Sequence, residues 1–475
     1  MLRTGAQFAE SLRDGRRVYH RGKRIEDVAS HPGFRGTVDT VASLYDLQHD
    51  PAQSDLTTAV WQGERIPYSY FPPSTPEHLL QKRHYTELWA RRTFGQMGRP
   101  PAMLAEFVVG ILDAAAILGK GRAQFGENAV NYHRHCAVND LALTHALNDQ
   151  YYDRSKNLHE QRHPDVALRI VKETSAGPVV RGLRALATQA ALSHEVLVHP
   201  NRPRSEAEAD YAIAFAIPLN APGITIICRD LYAENAARDR LPLATRFDEV
   251  DCTLVFDDVL VPWERVFVYR EPALLSRYFR TMAPFPSYSN SVRQIVRMEH
   301  FVAAAHILAQ WSGQHANANI QAKIGQMVQD LEVMRACLAA AEAGGRLTAG
   351  GHWIANVSTA FRLHSVDAFG RAEDMFKEVL TSSLILTAGA ADLDSGEIGP
   401  LVERYFGAAA PSTRDNLRAM AVAADMALSA LGGRTQLYET LSGGEPHAQR
   451  RLLYSSYDFA PLTERFRSFI GDEMD

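Results

Sequence analysis

The chain changes its periodicity at Tyr211-Ala212-Ile213-Ala214-Phe215-Ala216-Ile217, where large side chains alternate with alanines. A period of two predicts a β-strand. The segment Asn220-Ala221-Pro222-Gly223 predicts a turn, and Ile224-Thr225-Ile226-Ile227 predicts the return strand of a hairpin. Residues 177–182 and 253–256 read as further strands. Together these segments predict a small β-barrel or sandwich in the middle of the chain.

The sequence on both sides of this central part predicts helices. Residues 1–140 predict an N-terminal helical domain, 141–275 the central β domain, and 276–475 a C-terminal helical bundle that also serves oligomerisation. Gly432-Gly433 predicts the end of a helix in this last zone. Apolar residues spaced by four and three mark one bundle helix: Ile320, Ile324, Met327, Leu331, Met334 and Leu338. The predicted class is α+β, mostly α.

Composition narrows the classes of protein. The chain has 475 residues, of which 46% are hydrophobic and 22% are charged, and its net charge is -5. These values exclude disordered and collagen-like chains, and they imply neither a nucleic-acid partner nor an anionic membrane. The start of the chain lacks the apolar core of a signal peptide. Four scattered cysteines indicate a reducing compartment, so we expect a cytoplasmic protein: Cys136, Cys228, Cys252 and Cys337.

The sequence offers little support for a nucleotide-binding glycine motif or for a zinc site. The chain has no GxGxxG after a strand and no GxxxxGK[ST], which argues against a Rossmann site and a P-loop. His159-Glu160-Gln161-Arg162-His163 spells the HExxH pattern of zinc proteases. Its flanks are polar and Pro164 follows at once, whereas a zinc site needs a buried helix. We therefore predict a solvated loop and no metal.

For two polar residues, Arg99 and His145, the residue chemistry alone does not decide between a functional and a structural role. Arg99 stands in Phe94-Gly95-Gln96-Met97-Gly98-Arg99-Pro100-Pro101, where glycines allow close approach and prolines fix the path of the chain. A rigidly held arginine can face an oxyanion, or it can close a helix end. His145 lies between apolar residues and can be a core residue or a catalyst.

At these positions the chain resembles the oxygenase component of the two-component 4-hydroxyphenylacetate 3-hydroxylases. The likeness extends nearly from end to end. It is carried by motifs at 12–16, 28–32, 97–99, 144–146, 172–177, 187–188, 246–249, 257–264, 432–434 and 437–439. Many ordered motifs are stronger evidence than any single one.

The resemblance implies an acyl-CoA dehydrogenase-like fold with an N-terminal helical domain, a central β-barrel domain and a C-terminal four-helix bundle. It also implies a homotetramer or homodimer. Members of the family take FADH2 from a separate NAD(P)H:flavin reductase and react it with O2. A C4a-hydroperoxyflavin then hydroxylates a phenol, or another electron-rich ring, ortho to its hydroxyl group and gives a catechol.

The resemblance also implies roles for residues of this chain. Arg99 and His145 would be catalytic and would contact both substrate and flavin. The arginine would stabilise the phenolate, and the histidine would move or share the phenolic proton. The other expected flavin contacts are Ala146, Leu147, Tyr151, Tyr152, Asp153, Arg154, Thr188, Gly432, Gly433 and Arg434.

One position departs from the family pattern. The family commonly has a tyrosine four residues after the arginine, where its hydroxyl helps to hold the phenolic oxygen, but this chain has Met103. A thioether changes the shape and polarity of the substrate site. We therefore expect a substrate other than plain 4-hydroxyphenylacetate, such as a larger phenol, a carrier-bound tyrosine-like unit, an indole or a pyrrole. The segment 196–204, which corresponds to a loop over the substrate, also looks altered.

Three other functions compete with this one. A 4-hydroxybutyryl-CoA dehydratase shares the fold but needs cysteine ligands for an iron–sulfur cluster, and Arg99 and Met103 stand at the expected positions. An acyl-CoA dehydrogenase-like flavoprotein would need a carboxylate base in the bundle. A non-catalytic flavin-fold binding protein is compatible with Met103, but it does not explain why Arg99 and His145 are both present.

Overall fold

The computed structural model describes residues 2–472. The N-terminal zone is mainly helical, but it also supplies two strands to the central sheet and a separate hairpin. Its helices are α1 (Gly5–Ser11), α2 (Pro32–Asp46), α3 (Ser54–Thr57), α4 (Pro76–Arg92), α5 (Pro101–Asp113), α6 (Ala115–Leu118) and α7 (Ala123–Asn139). Its strands are β1 (Val18–His20), β2 (Lys23–Ile25), β3 (Thr58–Trp61) and β4 (Glu64–Pro67).

Local sequence explains where the two helices beside the site begin. Thr75 caps α4 by accepting a hydrogen bond from the backbone of His78, and Pro76 occupies the first turn. Pro101 likewise opens α5. Arg99 therefore lies in the short connection between two helices, held by prolines on its C-terminal side.

The middle zone forms two open sheets. Its elements are β5 (Leu143–Ala146), β6 (Arg169–Glu173), β7 (Pro178–Thr188), β8 (Glu195–Val198), β9 (Ile213–Pro218), β10 (Ile224–Cys228), α8 (Ala244–Phe247), β11 (Asp251–Leu260) and β12 (Val266–Tyr269). One sheet has the order β2-β1-β10-β11-β7-β6, and the other β12-β9-β8-β5. The predicted strands are present, but the predicted barrel is wrong, because the strands of residues 2–472 do not close into a ring.

The predicted hairpin is also wrong. β9 pairs with β8 and β12, whereas β10 pairs with β1 and β11. The turn at 220–223 therefore carries the chain from one sheet to the other. The alanines of β9 are buried like its large residues, so the alternation reflects packing on two covered faces rather than one face in water.

The C-terminal zone is a helical assembly. It contains α9 (Pro272–Met282), α10 (Pro284–Trp311), α11 (Ala318–Ala343), β13 (Arg346–Leu347), β14 (Trp353–Ile354), α12 (Thr359–Leu380), α13 (Ala390–Leu393), α14 (Gly399–Phe406), α15 (Thr413–Ala427), α16 (Ala430–Leu441), α17 (Pro446–Ser456) and α18 (Ala460–Asp472). Helices α10, α11, α12 and α15 pack together, and the predicted stripe on α11 faces this core. Within residues 2–472, no helix combines the length and the apolar character needed to cross a membrane.

Gly432 and Gly433 do not end a helix, contrary to the prediction. They stand in the first turn of α16, whose N-cap Ser429 accepts a hydrogen bond from the Gly432 amide at 3.0 Å. The preceding helix ends earlier, at Ala427. A serine cap thus starts a new helix where two glycines suggested a stop. Tyr438 on this helix contacts Arg99.

Candidate active site

Arg99 and His145 meet directly. The Arg99 Nε–H donates to His145 Nε2 at 3.1 Å, and both side chains are buried. Arg99 comes from the connection before α5, and His145 comes from β5, so the contact joins the N-terminal helices to the β region. The two residues are 46 positions apart in the chain and form one polar centre in the interior.

The two glycines before Arg99 serve close packing, as their type predicts. Gly95 has a φ of +65°, and a β-carbon there would lie 2.8 Å from the Arg297 backbone. A β-carbon on Gly98 would collide with the ring of Tyr438. Glycine is therefore required where α10 and α16 press on this connection.

Glu249 anchors the backbone on which Arg99 stands. Its carboxylate accepts hydrogen bonds from the amides of Gly98 at 2.8 Å and Arg99 at 2.5 Å. The side-chain amide of Gln189 donates to the same carboxylate at 3.1 Å and to the Arg99 carbonyl at 3.0 Å. The Arg99 backbone is thus fixed from both sides before any ligand is considered.

Arg434 and Asp251 extend this arrangement toward β7. Arg434 makes two hydrogen bonds to Asp251, at 2.7 and 2.8 Å, and a third to Glu249 at 3.3 Å. Thr188 also donates to Asp251, at 2.7 Å. Burial alone would raise the pKa of Asp251, but Arg434 outweighs it and lowers the pKa to about 2. The carboxylate therefore stays ionised at neutral pH.

Tyr438, on α16, contacts the side chain of Arg99. Its hydroxyl contacts Arg99 Nη1, and it donates to the Gly98 carbonyl at 3.2 Å. Its ring lies 4.9 Å from the Arg99 guanidinium, 5.3 Å from Arg434 and 5.5 Å from Arg293. Such distances are typical of cation–π contacts. We call the set Arg99, Glu249, Asp251, Arg434 and Tyr438 the arginine hub.

The hydrogen bond from Arg99 fixes the tautomer of His145. Because Nε2 accepts, the ring proton belongs on Nδ1, and this nitrogen is buried with no hydrogen-bond partner among the described residues. Burial, then the neighbouring charge of Arg99 and then His199 lower the pKa of His145 well below its ordinary value. His145 is therefore neutral at pH 7 and presents one N–H donor.

Apolar side chains surround the histidine. Met103 and Phe107 stand one turn apart on α5, and both are buried. The Phe107 ring meets the His145 ring edge-on, with 4.7 Å between centroids. His145 therefore has an aromatic ring on one side and the Arg99 guanidinium on another.

Comparisons with known proteins show the family of this chain. Two family profiles, described as 4-hydroxyphenylacetate 3-hydroxylase N terminal and C terminal, match residues 4–268 and 277–471. The chain belongs to the 4-hydroxyphenylacetate 3-hydroxylase family. Its structure is similar to a crystal structure of a 4-hydroxyphenylacetate 3-monooxygenase oxygenase component complexed with FAD and 4-hydroxyphenylacetate, with a TM-score of 0.94, 32% identity and 99% of each chain covered.

Curated relatives support the same family. The oxygenase component of 4-hydroxyphenylacetate 3-monooxygenase from Thermus thermophilus is 33% identical, over 100% of this chain and 98% of the relative. A Streptomyces globisporus monooxygenase is 30% identical over 95% of this chain and 87% of its own length. Its name specifies a chlorinated hydroxyphenyl-propanoyl group held by a peptidyl-carrier protein.

The other residues expected from the 4-hydroxyphenylacetate 3-hydroxylase family fall into two groups. Thr188 and Arg434 join the hub through Asp251, and Ala146 follows His145 on β5. Gly432 and Gly433 lie in the first turn of α16 directly before Arg434, and Leu147 directly follows β5.

The segment 151–154 lies at an exposed rim. Tyr151 is half-buried, whereas Tyr152, Asp153 and Arg154 are exposed. The side chain of Gln161 braces the segment by accepting from the amides of Tyr152 and Asp153 at 2.9 and 3.0 Å. The backbone of residues 151–154 is thus fixed by Gln161, while the side chains of 152–154 are exposed to solvent.

Sequence reasoning missed three hub residues. Glu249 and Tyr438 lie inside motifs that carried the family resemblance, 246–249 and 437–439, but no role was given to them. Asp251 follows the first of these motifs by two residues. Membership of these motifs was the only available signal for Glu249 and Tyr438, because burial and pairing are not visible in the sequence.

The HExxH segment is a loop, as predicted. Leu158–Glu160 and Pro164–Val166 are short 3-10 turns, and His159, Glu160 and His163 are exposed. Within residues 2–472 no group of three metal-ligating side chains converges.

Proposed function

We propose that this chain is the oxygenase component of a two-component aromatic monooxygenase that uses FADH2 and O2 to hydroxylate a phenol ortho to its hydroxyl group. A separate NAD(P)H:flavin reductase would supply the FADH2. The observation that carries the proposal is the buried Arg99–His145 hydrogen bond of 3.1 Å in a chain of this family. Family membership favours this function over an acyl-CoA dehydrogenase.

The residues present fit a flavin. His145 Nδ1 is an orphaned buried donor, and the edge of an isoalloxazine offers nitrogen and carbonyl acceptors. We propose that Arg99, His145, Ala146, Leu147, Thr188, residues 151–154 and residues 432–434 hold the cofactor. When bound, reduced FAD supplies the electrons that activate O2 for transfer to the ring.

Arg99 would stabilise the negative charge that develops on the phenolic oxygen. Its guanidinium is held on Nε by His145 and on Nη1 by the Gly98 carbonyl and Tyr438, which leaves Nη2 without a hydrogen-bond partner among the described residues. A preorganised cation aimed at developing charge lowers the barrier without reorganisation during the reaction. An electron-rich phenolate ring is the form that an electrophilic oxygen attacks.

His145 would orient the phenol. A neutral imidazole with its proton on Nδ1 can donate to the phenolic oxygen or to the cofactor, and it is a weak base because of its lowered pKa. Met103 and Phe107 would keep water away from the reacting ring, which protects against unproductive loss of the oxidant.

The substrate is proposed to be a phenol other than plain 4-hydroxyphenylacetate, because Met103 offers no hydroxyl to its oxygen. We propose that this phenol has a different outline and is either free or carried on a protein.

We also propose a homotetramer or homodimer in the cytoplasm. Exposed large apolar side chains on the C-terminal helices support self-association: Leu437, Leu441, Leu452, Tyr454, Leu462, Phe466 and Phe469. Four free thiols are typical of a reducing compartment.

The proposal is tested with the purified chain, chemically reduced FAD, air and a panel of phenols. Mass spectrometry should detect a product heavier by one oxygen atom, with the catechol pattern. If no phenol gains oxygen while the chain remains folded, the proposed function is wrong.

A further inference from the structure

Two buried cysteines face each other beside the arginine hub. Cys228 ends β10, Cys252 is the second residue of β11, and the antiparallel register makes them direct partners. Their sulfur atoms lie 3.7 Å apart. Both are free thiols, and their exposed fractions are 7% and 2%. Two cysteines that are 24 residues apart in the sequence therefore form a close pair in the interior.

The hydrogen bonds around this pair define its type. The amide of Arg229, the residue after Cys228, donates to the carbonyl of Asp251, the residue before Cys252, at 3.2 Å. The cysteines themselves are therefore a non-hydrogen-bonded pair, in which the Cα atoms are about 4.5 Å apart and the side chains are closest. A disulfide accepts Cα separations of roughly 4.4–6.8 Å. The backbone thus meets the requirement for a disulfide, and only the sulfur atoms have to approach each other.

The neighbours of both cysteines connect the pair to the hub. Asp251 precedes Cys252 and accepts two hydrogen bonds from Arg434, at 2.7 and 2.8 Å. Arg229 follows Cys228 and donates to the same carboxylate at 3.3 Å. A bond between the sulfur atoms would draw the two strands together at the place where Asp251 is held. The position of Arg434 is therefore coupled to the state of the two thiols.

A second connection leads from Cys252 to Arg99. The Cys252 thiol donates to the carbonyl of Val250 at 3.5 Å. The same carbonyl accepts a hydrogen bond from the amide of Gln189 at 2.8 Å, and the Gln189 side chain donates to the Arg99 carbonyl at 3.0 Å. Because a disulfide has no S–H group, oxidation removes the hydrogen bond to Val250. The oxidation state of Cys252 thus affects the contacts that hold the Arg99 backbone.

The surroundings of the pair favour its reduced form. The thiolate is the reactive form of cysteine. The contact with Cys228, and then burial, raise the pKa of Cys252 well above its ordinary value. Cys228 is the more exposed of the two, so an oxidant in solution reaches its sulfur first. We therefore expect the pair to resist brief exposure to an oxidant and to react during lasting exposure.

We propose that Cys228 and Cys252 are an oxidative modification site, which hydrogen peroxide converts to an internal disulfide that disturbs the arginine hub. This inference goes beyond the proposed function. Hydrogen peroxide is the product when reduced flavin and O2 react without oxygen transfer to a substrate, so the proposed reaction itself supplies the oxidant. A chain that loses its oxidant in this way is slowed by its own by-product.

One molecule of hydrogen peroxide is enough to form the bond. The Cys228 sulfur attacks one oxygen of the peroxide, the O–O bond breaks, one water leaves, and Cys228 becomes a sulfenic acid. The Cys252 sulfur then attacks the Cys228 sulfur, the S–O bond breaks, and the hydroxyl group leaves with the Cys252 proton as a second water. The two thiols lose two electrons and two protons, and the peroxide becomes two waters. Dithiothreitol reduces the disulfide back to two thiols.

The test treats the purified chain with millimolar hydrogen peroxide, removes the peroxide with catalase, and alkylates the remaining thiols in denaturant. Mass spectrometry should show that two of the four cysteines escape alkylation and that the peptides of Cys228 and Cys252 are joined. The Kd for FAD should rise roughly fivefold, and kcat/KM for a hydroxylated phenol should fall roughly tenfold. Dithiothreitol should reverse all three changes.

Serine variants separate the pair from the other cysteines. Cys228→Ser keeps the size of the side chain but cannot form the bond, and the buried Cys252 reacts slowly alone, so FAD affinity and turnover should stay within about twofold after the same treatment. Cys337→Ser is the matched control, because Cys337 is half-buried on α11, and it should keep the joined peptide and the reversible loss. The joined peptide is measured in the natural chain, so the test stands even if Cys228→Ser does not fold.

The outcomes separate this inference from the proposed function. Four alkylated cysteines after treatment, or oxidation at Cys337 alone, would overturn the modification site. A joined peptide with unchanged FAD affinity and turnover would overturn its effect on the hub. If the joined peptide forms and FAD binds more weakly, but the reduced chain hydroxylates no phenol, the proposed function fails and the modification site stands.

Discussion

The arginine hub can be compared with a second polar group, Asp149, Arg184, His199 and Arg204, which we call the distal cluster and in which both arginines contact the Asp149 carboxylate. In the hub, Arg434 has three hydrogen bonds to two carboxylates, and Asp251 is fully paired. In the distal cluster, Arg184 keeps one contact and leaves two nitrogens without partners. The hub holds the backbone of Arg99 and two of its side-chain nitrogens, whereas the distal cluster leaves several buried nitrogens unpaired among the described residues.

This difference separates residues that position other side chains from residues that can bind a ligand. Groups that must act on a reacting ring gain from being held before the ligand arrives. Groups that select a ligand must keep free donors for it. His145 stands at the border, because one ring nitrogen is bound by Arg99 and the other is free.

The largest effect should come from breaking the hub. Glu249→Gln keeps the shape of the side chain but removes a buried charge that faces Arg434 and holds the amides of Gly98 and Arg99. We expect about 3 kcal/mol less free energy of unfolding and a roughly 100-fold lower kcat/KM, since Arg99 shifts. Urea unfolding and turnover measure both.

A matched control is Glu264→Gln, because Glu264 is exposed. Its free energy of unfolding should change by less than about 0.5 kcal/mol. A stable and fully active Glu249→Gln variant would show that the hub does not position Arg99.

The second largest effect should be on the pH dependence of the free energy of unfolding, through His199 of the distal cluster. Burial, then the charge of Arg184 lowers the pKa of His199 to about 3, so the unfolded chain binds a proton that the folded chain does not between pH 6.5 and 3. Folding stability is therefore complete above pH 6.5 and falls as the pH drops through this window. His199→Phe should remove about 2 kcal/mol of the loss between pH 7 and 5.

Urea unfolding at several pH values checks this slope. His315→Phe, in which an exposed ring is replaced, should leave the slope as it is. An unchanged slope in His199→Phe would mean that the ring is protonated in the folded chain, and the distal cluster would then be more positive than described.

The smallest effect should come from Tyr438→Phe. The variant keeps the ring among three guanidiniums but removes the hydroxyl from Arg99 and from the Gly98 carbonyl. A loss of about 1 kcal/mol predicts a roughly fivefold lower kcat/KM. The exposed Tyr454 gives the control Tyr454→Phe. A hundredfold loss in Tyr438→Phe, with normal folding, would make Tyr438 a partner in the reaction rather than a positioning residue.

Much of the fold could be predicted from sequence. The period of β9 and the stripe of α11 were visible because a strand and a bundle helix each repeat their buried positions regularly. The partner of β9 was not visible, since a short turn can close a hairpin or pass to another sheet. Gly432 and Gly433 predicted the end of a helix, but Ser429 caps the start of α16 just before them, and the helix continues through both glycines.

The site could be predicted only where single residues stand out. Arg99 and His145 were found from a rigid motif and a resemblance, and their direct contact agrees with that pairing. Glu249, Arg184 and His199 were not singled out, because their importance depends on burial and on what remains unpaired. Neither property can be read from a linear chain.

The most direct measurement of the central claim is the yield of catechol per FADH2 consumed in His145→Ala, with hydrogen peroxide counted in the same reaction. If the Arg99–His145 pair holds the phenol for oxygen transfer, the variant should remain folded and should still consume FADH2 and O2. It should form less than about 0.1 catechol per FADH2 consumed. A yield equal to that of the natural chain would contradict the account and would make His145 a structural residue.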